Sequence, residues 1–482
     1  MKKIIVILSA TLTALTFLPI SACKSDKTEQ KNEYVIDVTY DDTAKSLTGN
    51  CTLTYYNHTD NEIDSLFFNL WGNAYRQGAK YKAVATGDSK AYYAGVNYGG
   101  ESVQSVENCS SWQICGEDEN LLQVVLNQPI FPDQCTTVTI SYTLDIAKVN
   151  HRTGVTASTV NLGNFYPILC AYSTEGFIQY PYYSTGDPFI SECANYAVKL
   201  SLPPEYTAAT SGKEVERREE NGTLTIDYTL ENARDFAIVL SKNFLTETRK
   251  VNGCEITAYY CGDRQISTEL DAVCESLEYF SSTFGKYAYP TLNVVYTPLN
   301  SSGMEYPALT MINSSLSQAD GIYTAVHETA HQWWYALVGS DQVKNAWQDE
   351  GLAEYSTLCF FETHPAYGYT RTGILGSAIK GYRGYYSVYN QIFGKSDTTM
   401  NRSLNEYDGE YEYVNIAYNK SLLMFENVRT AMGDKKFFSA LSDYFNANKF
   451  KIAPPEELIA RLDKAYDVEG LIEGYLEGKV VI

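Results

Sequence analysis

Basic residues and histidine are both scarce in this chain of 482 residues. Lys and Arg number 37 against 58 Asp and Glu, and the formal net charge is -21. Polyanions are recognised by clustered Lys and Arg, so the composition speaks against nucleic acid as a partner. No C-x-x-C spacing occurs among the 11 cysteines, which removes the usual framework of a cysteine-built zinc site. No internal repeat is visible, and one short polar stretch near the N-terminus is the only low-complexity segment. An apolar run from residue 4 to about residue 20 stops short of a comfortable membrane span. What is present is ordinary for a globular protein: 44% hydrophobic and 20% charged residues, with length for two or three packed cores. The 41 tyrosines read as strand faces and surface patches rather than as chemistry.

From residue 34 to about 245 the apolar residues alternate in short stretches. Tyr34, Ile36, Val38 and Tyr40 form one such set, and Val138, Ile140, Tyr142 and Leu144 another. Similar sets recur at Leu47 to Tyr55, Tyr196 to Leu202 and Leu224 to Leu230. Period-2 strands separated by turn residues predict an antiparallel β-sandwich. After residue 246 the period changes, and Ile266, Leu270, Val273, Leu277 and Phe280 follow helical spacing. Strands are expected at 292–296 and 303–311, then mainly helices, including 322–338 and 349–361.

The first residues read as an export signal, with Lys2 and Lys3 preceding the apolar run. The run ends in Ile20-Ser21-Ala22-Cys23, which resembles the lipobox of bacterial lipoproteins. That resemblance implies a lipid on Cys23 and an extracytoplasmic location, anchored to a bacterial membrane. The polar residues 24–33 have nothing to bury and read as a tether. The chain thus divides into a signal peptide at 1–23, a tether at 24–33, a sandwich at 34–245 and a second domain at 246–482. Of the ten remaining cysteines, Cys109 and Cys115, or Cys254 and Cys261, are near enough in sequence to pair, whereas Cys51, Cys274 and Cys359 sit in patterns typical of buried thiols.

The chemistry concentrates at His327-Glu328-Thr329-Ala330-His331, an H-E-x-x-H motif in a stretch of helical character. Two imidazoles four residues apart share one helix face, close enough for both to reach one zinc ion. Only five histidines exist in the chain, so two of them at this spacing carry information. Glu328 projects beside them as a general base rather than a ligand. Glu350, with eighteen residues between it and His331, supplies a third ligand. Glu354 lies one turn further on the same face, placed to accept the second ring proton of a ligating histidine.

At these residues the chain resembles the aminopeptidase N family of gluzincin metallopeptidases, which share H-E-x-x-H, an eighteen-residue gap and a ligating Glu. Gly303-Met304-Glu305-Tyr306-Pro307 resembles that family's G-x-M-E-N strand, with one residue missing before Met304 and Tyr306 in place of Asn. The resemblance implies that Glu305 binds the substrate's free amino group, with Gly303 and Met304 lying along the peptide. Ala417-Tyr418-Asn419-Lys420 resembles the family's Y-E-K-G segment, which implies that Tyr418 donates to the oxyanion; Tyr411 and Tyr413 are nearby competitors. The fold implied is α+β and multidomain: a β-sandwich followed by a thermolysin-like, mainly helical zinc peptidase domain, without the large C-terminal helical domain of longer members. One Zn2+ per chain and peptide substrates follow. The expected activity is removal of N-terminal residues from peptides. A zinc endopeptidase of the same fold is the alternative, with a catalytically degenerate peptide-binding protein ranked below it.

Overall fold

The alternating stretches of the first half assemble into a seven-stranded sheet, described with the rest of the chain in a computed structural model that covers residues 30–482. Cys23, the lipobox and most of the tether lie outside the described residues. In spatial order the strands are Lys213–Glu220, Thr223–Ala233, Ala194–Leu202, Asn32–Asp41, Ser46–Tyr56, Cys135–Asp145 and Gly100–Glu107. Side chains of one face, among them Ile36, Val38, Leu47, Leu53, Val138 and Ile140, are fully buried, as a period of two requires. Neighbouring strands are antiparallel with one exception. Asn32–Asp41 and Ala194–Leu202 run parallel, because the long excursion between them returns the chain in the same direction. The first strand also starts earlier than the sequence pattern suggests: Asn32 is buried, its side chain accepts from the Tyr56 amide at 3.0 Å, and Lys31 lies over the Phe450 ring.

Two four-stranded sheets and a two-stranded ribbon of Tyr172–Ser173 and Gly176–Phe177 complete the β-rich region. Ile168–Leu169, Ile63–Asn69, Leu121–Ile130 and Cys109–Cys115 form one, and Leu66, Phe68, Leu122 and Val124 join the apolar core from it. The other comprises Thr207–Thr210, Ile238–Ser241, Val160–Leu162 and Thr153–Val155, and it meets the second domain directly. There Asn293 donates to the Thr210 carbonyl at 2.7 Å and the Thr297 hydroxyl to Asn161 at 2.7 Å. All ten cysteines in the described residues are free, including Cys109 with Cys115 and Cys254 with Cys261. Cys51 and Cys359 are buried, whereas Cys274 is only partly covered.

A five-stranded sheet opens the second domain in the order Leu245–Val251, Cys254–Tyr260, Thr291–Thr297, Leu309–Asn313 and Gly303–Met304. α1 (Ser267–Thr283) and α2 (Gln318–Ala330) pack against it, α3 (Ala346–Thr363) packs on α2, and α4 (Arg371–Phe393) on α3. A short α5 (Glu410–Tyr413), a π-helical turn (Val414–Lys420) and α6 to α9 (Ser421–Met432, Asp434–Asn448, Pro455–Ala465, Glu469–Leu476) follow. The stretch expected as one strand from 303 to 311 is two strands joined by a turn in which Ala308 has φ 57°. Expected to run to Val338, α2 instead stops at Ala330. His331 caps it, and the turn that follows folds Trp333 and Trp334 into the core.

Tyr306, the residue that departs from the family strand, ties the two domains together. Its hydroxyl donates to Asn164 Oδ1 at 2.9 Å, Asn164 donates to Asp235 at 2.7 Å, and Tyr166 donates to the other Asp235 oxygen at 2.9 Å. All four side chains are buried. Gly163 leaves the room, since a Cβ there would stand 1.9 Å from the Tyr306 hydroxyl. Tyr306→Phe strands a buried acceptor on Asn164 and should cost about 1 to 3 kcal/mol. A denaturant melt reads this directly, and an unchanged midpoint would show that the network contributes nothing to the junction.

Candidate metal centre and catalytic cavity

The end of α2 and the first turns of α3 face each other across a buried gap. A hydrogen-bonded Ser317 caps the start of α2, which carries His327 and His331 on its inner face; α3 brings Glu350 and Glu354. His327 Nε2 and His331 Nε2 are 3.0 Å apart, and Glu350 Oε2 lies 3.5 Å from the first and 3.2 Å from the second. Donors bonded tetrahedrally to zinc at 2.0 to 2.1 Å would stand about 3.3 to 3.4 Å from one another. The three atoms, at 3.0, 3.2 and 3.5 Å from one another, come within about 0.3 Å of that spacing.

The outer nitrogens settle the ring orientation. His331 Nδ1 is 3.0 Å from the Trp334 carbonyl, which only accepts, so Nδ1 carries the hydrogen and Nε2 presents its lone pair to the gap. His327 Nδ1 is 3.0 Å from Glu354 Oε2, and Tyr323 donates to the other Glu354 oxygen. Two imidazole lone pairs and a carboxylate oxygen converging in a buried space repel one another unless a cation joins them. The donor set therefore fits zinc, and the gap leaves a fourth side open to the cavity. Glu305, His331 and Asp349 form a second close group. Its histidine is already committed on both nitrogens, and burial pushes the Asp349 carboxyl up to about 8.

Glu328 follows His327 on α2 and is 5% exposed, with one carboxylate oxygen lacking any hydrogen-bond partner. Burial pushes its carboxyl up to about 7; His327 and His331 pull the other way, while Glu350 and Asp187 add to the rise. Gly303 gives it space, because a Cβ there would lie 2.1 Å from Glu328 Oε1. Gly303–Met304 is the edge strand of its sheet, paired on one side with Met311 and Ile312. Gln332 clamps the turn that follows, donating to the Tyr306 carbonyl at 3.1 Å and accepting from the Ala308 amide at 2.8 Å. Glu305 is 3% exposed, accepts from Gln342 at 3.2 Å and makes no ion pair with Arg or Lys among the described residues. Burial holds its carboxyl well above the usual range, with Asp187 adding to the shift.

His327, Glu328, His331, Glu350, Gly303 and Glu305 line one cavity of about 670 Å3. Tyr418, on the π-helical turn, stacks its ring on His327 at 5.8 Å and 19°, and burial beside Glu350 holds its phenol well above the ordinary value. Tyr413 donates to Glu350 Oε1 at 3.3 Å, while Tyr411 is 50% exposed. Sequence reasoning missed the first domain's share of the cavity: Arg152 and Asp187 form an ion pair in its wall, and Gly186 packs against the Tyr413 ring. The one sequence signal was the Gly186-Asp187-Pro188 turn, which marks a loop but not a site.

Two imidazoles from the end of one helix and a glutamate from the next thus form a buried group that could hold a metal ion, as the H-E-x-x-H spacing predicts. The model of the peptidase family M1 domain matches residues 268–475, a little under half of the chain. Aminopeptidase M1-B of Oryza sativa subsp. japonica is 23% identical over 289 residues, 56% of this chain and 32% of that protein. This chain's match thus spans about a third of the rice relative. The fold resembles the M1 zinc metallopeptidase of Deinococcus radiodurans, with TM-score 0.67, 17% identity and coverage of 94% of this chain and 96% of that one. A mutant of the Deinococcus protein bound to a Tyr-Ser-Ala substrate aligns with TM-score 0.62 and 16% identity over 94% and 95% of the two chains.

Protein carrying residues 24–482, loaded with zinc and dialysed, should retain one zinc per chain by elemental analysis. His331→Ala should lose most of it, because two protein ligands rarely suffice. Retention of the full content by that variant would place the metal elsewhere.

Proposed function

We propose that this protein is a zinc-dependent aminopeptidase that removes N-terminal residues from peptides outside the cytoplasm, held at a bacterial membrane by lipid on Cys23. The observation that carries the activity is the pairing of an unpartnered, buried Glu328 oxygen with the convergent triad of His327, His331 and Glu350. Those three residues would hold the zinc, which supplies Lewis-acid polarisation of a carbonyl and makes water a stronger acid. Glu328 takes the proton released by the attacking water and returns it to the leaving amine. Its carboxyl, raised by burial toward neutrality, is suited to both transfers. Tyr418 donates a hydrogen bond to the oxyanion that develops.

Preference for a free N-terminus is supported by Glu305. A buried carboxylate without a cation is costly, and a substrate ammonium is the partner it lacks. The unpaired side of the Gly303–Met304 strand offers backbone groups to an extended peptide. The export reading rests on the sequence of the first 23 residues alone, and peptides, rather than bilayer proteins, suit a domain on a ten-residue tether.

Glu328→Gln should keep its zinc and lose about 10² to 10⁴ in turnover, since the amide preserves shape without accepting a proton. Retention of more than about a tenth of the wild-type rate would remove Glu328 as the base. Gly303→Ala should also lower kcat with zinc content intact, because the added methyl displaces Glu328. Comparing free with N-acetylated peptides tests the amine preference. Equal hydrolysis of both would favour the endopeptidase.

A further inference from the structure

Tyr413 takes no part in the proton transfers, yet its position is fixed from several sides. Its ring is 2% exposed and meets Tyr407 edge-on at 5.3 Å and 87°. The Arg402 guanidinium lies 4.1 Å over the Tyr407 ring and is itself paired with Glu412 at 3.0 Å and Asp397 at 3.3 Å. From the first domain, Gly186 abuts the same ring: a Cβ there would stand 2.9 Å from the Tyr413 hydroxyl and 2.7 Å from Leu404. So held, the Tyr413 hydroxyl donates to Glu350 Oε1, the oxygen not shared with the imidazoles, which face Oε2.

We infer that Tyr413 is a positioning residue for the metal, holding one oxygen of Glu350 so that the other stays aimed at the point it shares with His327 and His331. A carboxylate swings about its last bonds, and a hydrogen bond on the outer oxygen removes that freedom and fixes which oxygen faces the ligand point. His327 and His331 are steadied in the same way by Glu354 and the Trp334 carbonyl, so each of the three donors is held from outside. The partner of Glu350 differs in being set from both domains: by the Arg402–Tyr407 stack in the second and by Gly186 in the first. Gly186 has φ 72°, a conformation in which a side chain is strained as well as crowded.

The inference rests on the zinc peptidase reading, and its test keeps the two apart. Zinc dissociation constants are measured by competition with a chromophoric chelator for the wild type, Tyr413→Phe, Tyr418→Phe and Gly186→Ala, with melting of the zinc-free forms alongside. Tyr413→Phe should bind zinc about 10- to 100-fold more weakly, with zinc-free melting near that of the wild type. Its kcat should recover to within a few-fold at saturating zinc. Gly186→Ala should weaken zinc binding in the same direction without touching a metal ligand. Tyr418→Phe, whose hydroxyl also reaches Glu350, should lose less zinc affinity than Tyr413→Phe and stay slow at any zinc concentration. Tyr413→Phe binding within about twofold of wild type overturns the inference and leaves the peptidase reading standing. A kcat that excess zinc does not restore, or a matching fall in zinc-free melting, also overturns it. A wild type that binds no zinc removes both.

Discussion

Three lone pairs aimed at one buried point, two on α2 and one on α3, impose the constraint that organises this molecule. Such a point is unfavourable without a cation, and it persists only because each donor is held from behind. Glu354 holds His327, the Trp334 carbonyl holds His331 and Tyr413 holds Glu350. The early end of α2 follows from the same requirement. Continuing the helix past Ala330 would carry the Trp334 carbonyl away from the His331 ring, so the turn that buries Trp333 and Trp334 also fixes the second imidazole.

The β-rich domain does more than cap this centre. It supplies Arg152 and Asp187 to the cavity wall, presses Gly186 against Tyr413 and grips the Glu305 turn through Tyr306 and Asn164. In the resembling family the residue after the strand's Glu is Asn. Here the larger Tyr reaches into a buried network with Asp235 and Tyr166, so the turn is anchored in the other domain as well as by Gln332 of its own. The departure from the family pattern at Tyr306 thus leaves Glu305 facing the cavity. It changes what holds that carboxylate there, not whether it is present.

The metal centre was legible in the sequence because its information is local. A spacing of four puts His327 and His331 on one face, and Glu350 and Glu354 are again one turn apart. The sandwich strands were legible for the same reason, through a period of two. What was hidden depends on contacts between distant segments. The parallel pairing of Asn32–Asp41 with Ala194–Leu202 is set by a connection of about 150 residues whose return direction no local pattern records. Tyr413 and Tyr418 are five residues apart, a separation that an α-helix would place on different faces. The π-helical turn between them brings both to Glu350, and nothing in the residues 414–420 announces it. Arg152 and Asp187 lie in loops of a domain whose alternation speaks only of its core.

Zinc K-edge X-ray absorption on the wild-type protein tests the central claim most directly, because it reads the atoms around the metal rather than a rate. Two imidazole nitrogens and one carboxylate oxygen from the protein, at about 2.0 to 2.2 Å, are the predicted shell. Sulfur in that shell, or a single imidazole, would contradict the assignment of His327, His331 and Glu350.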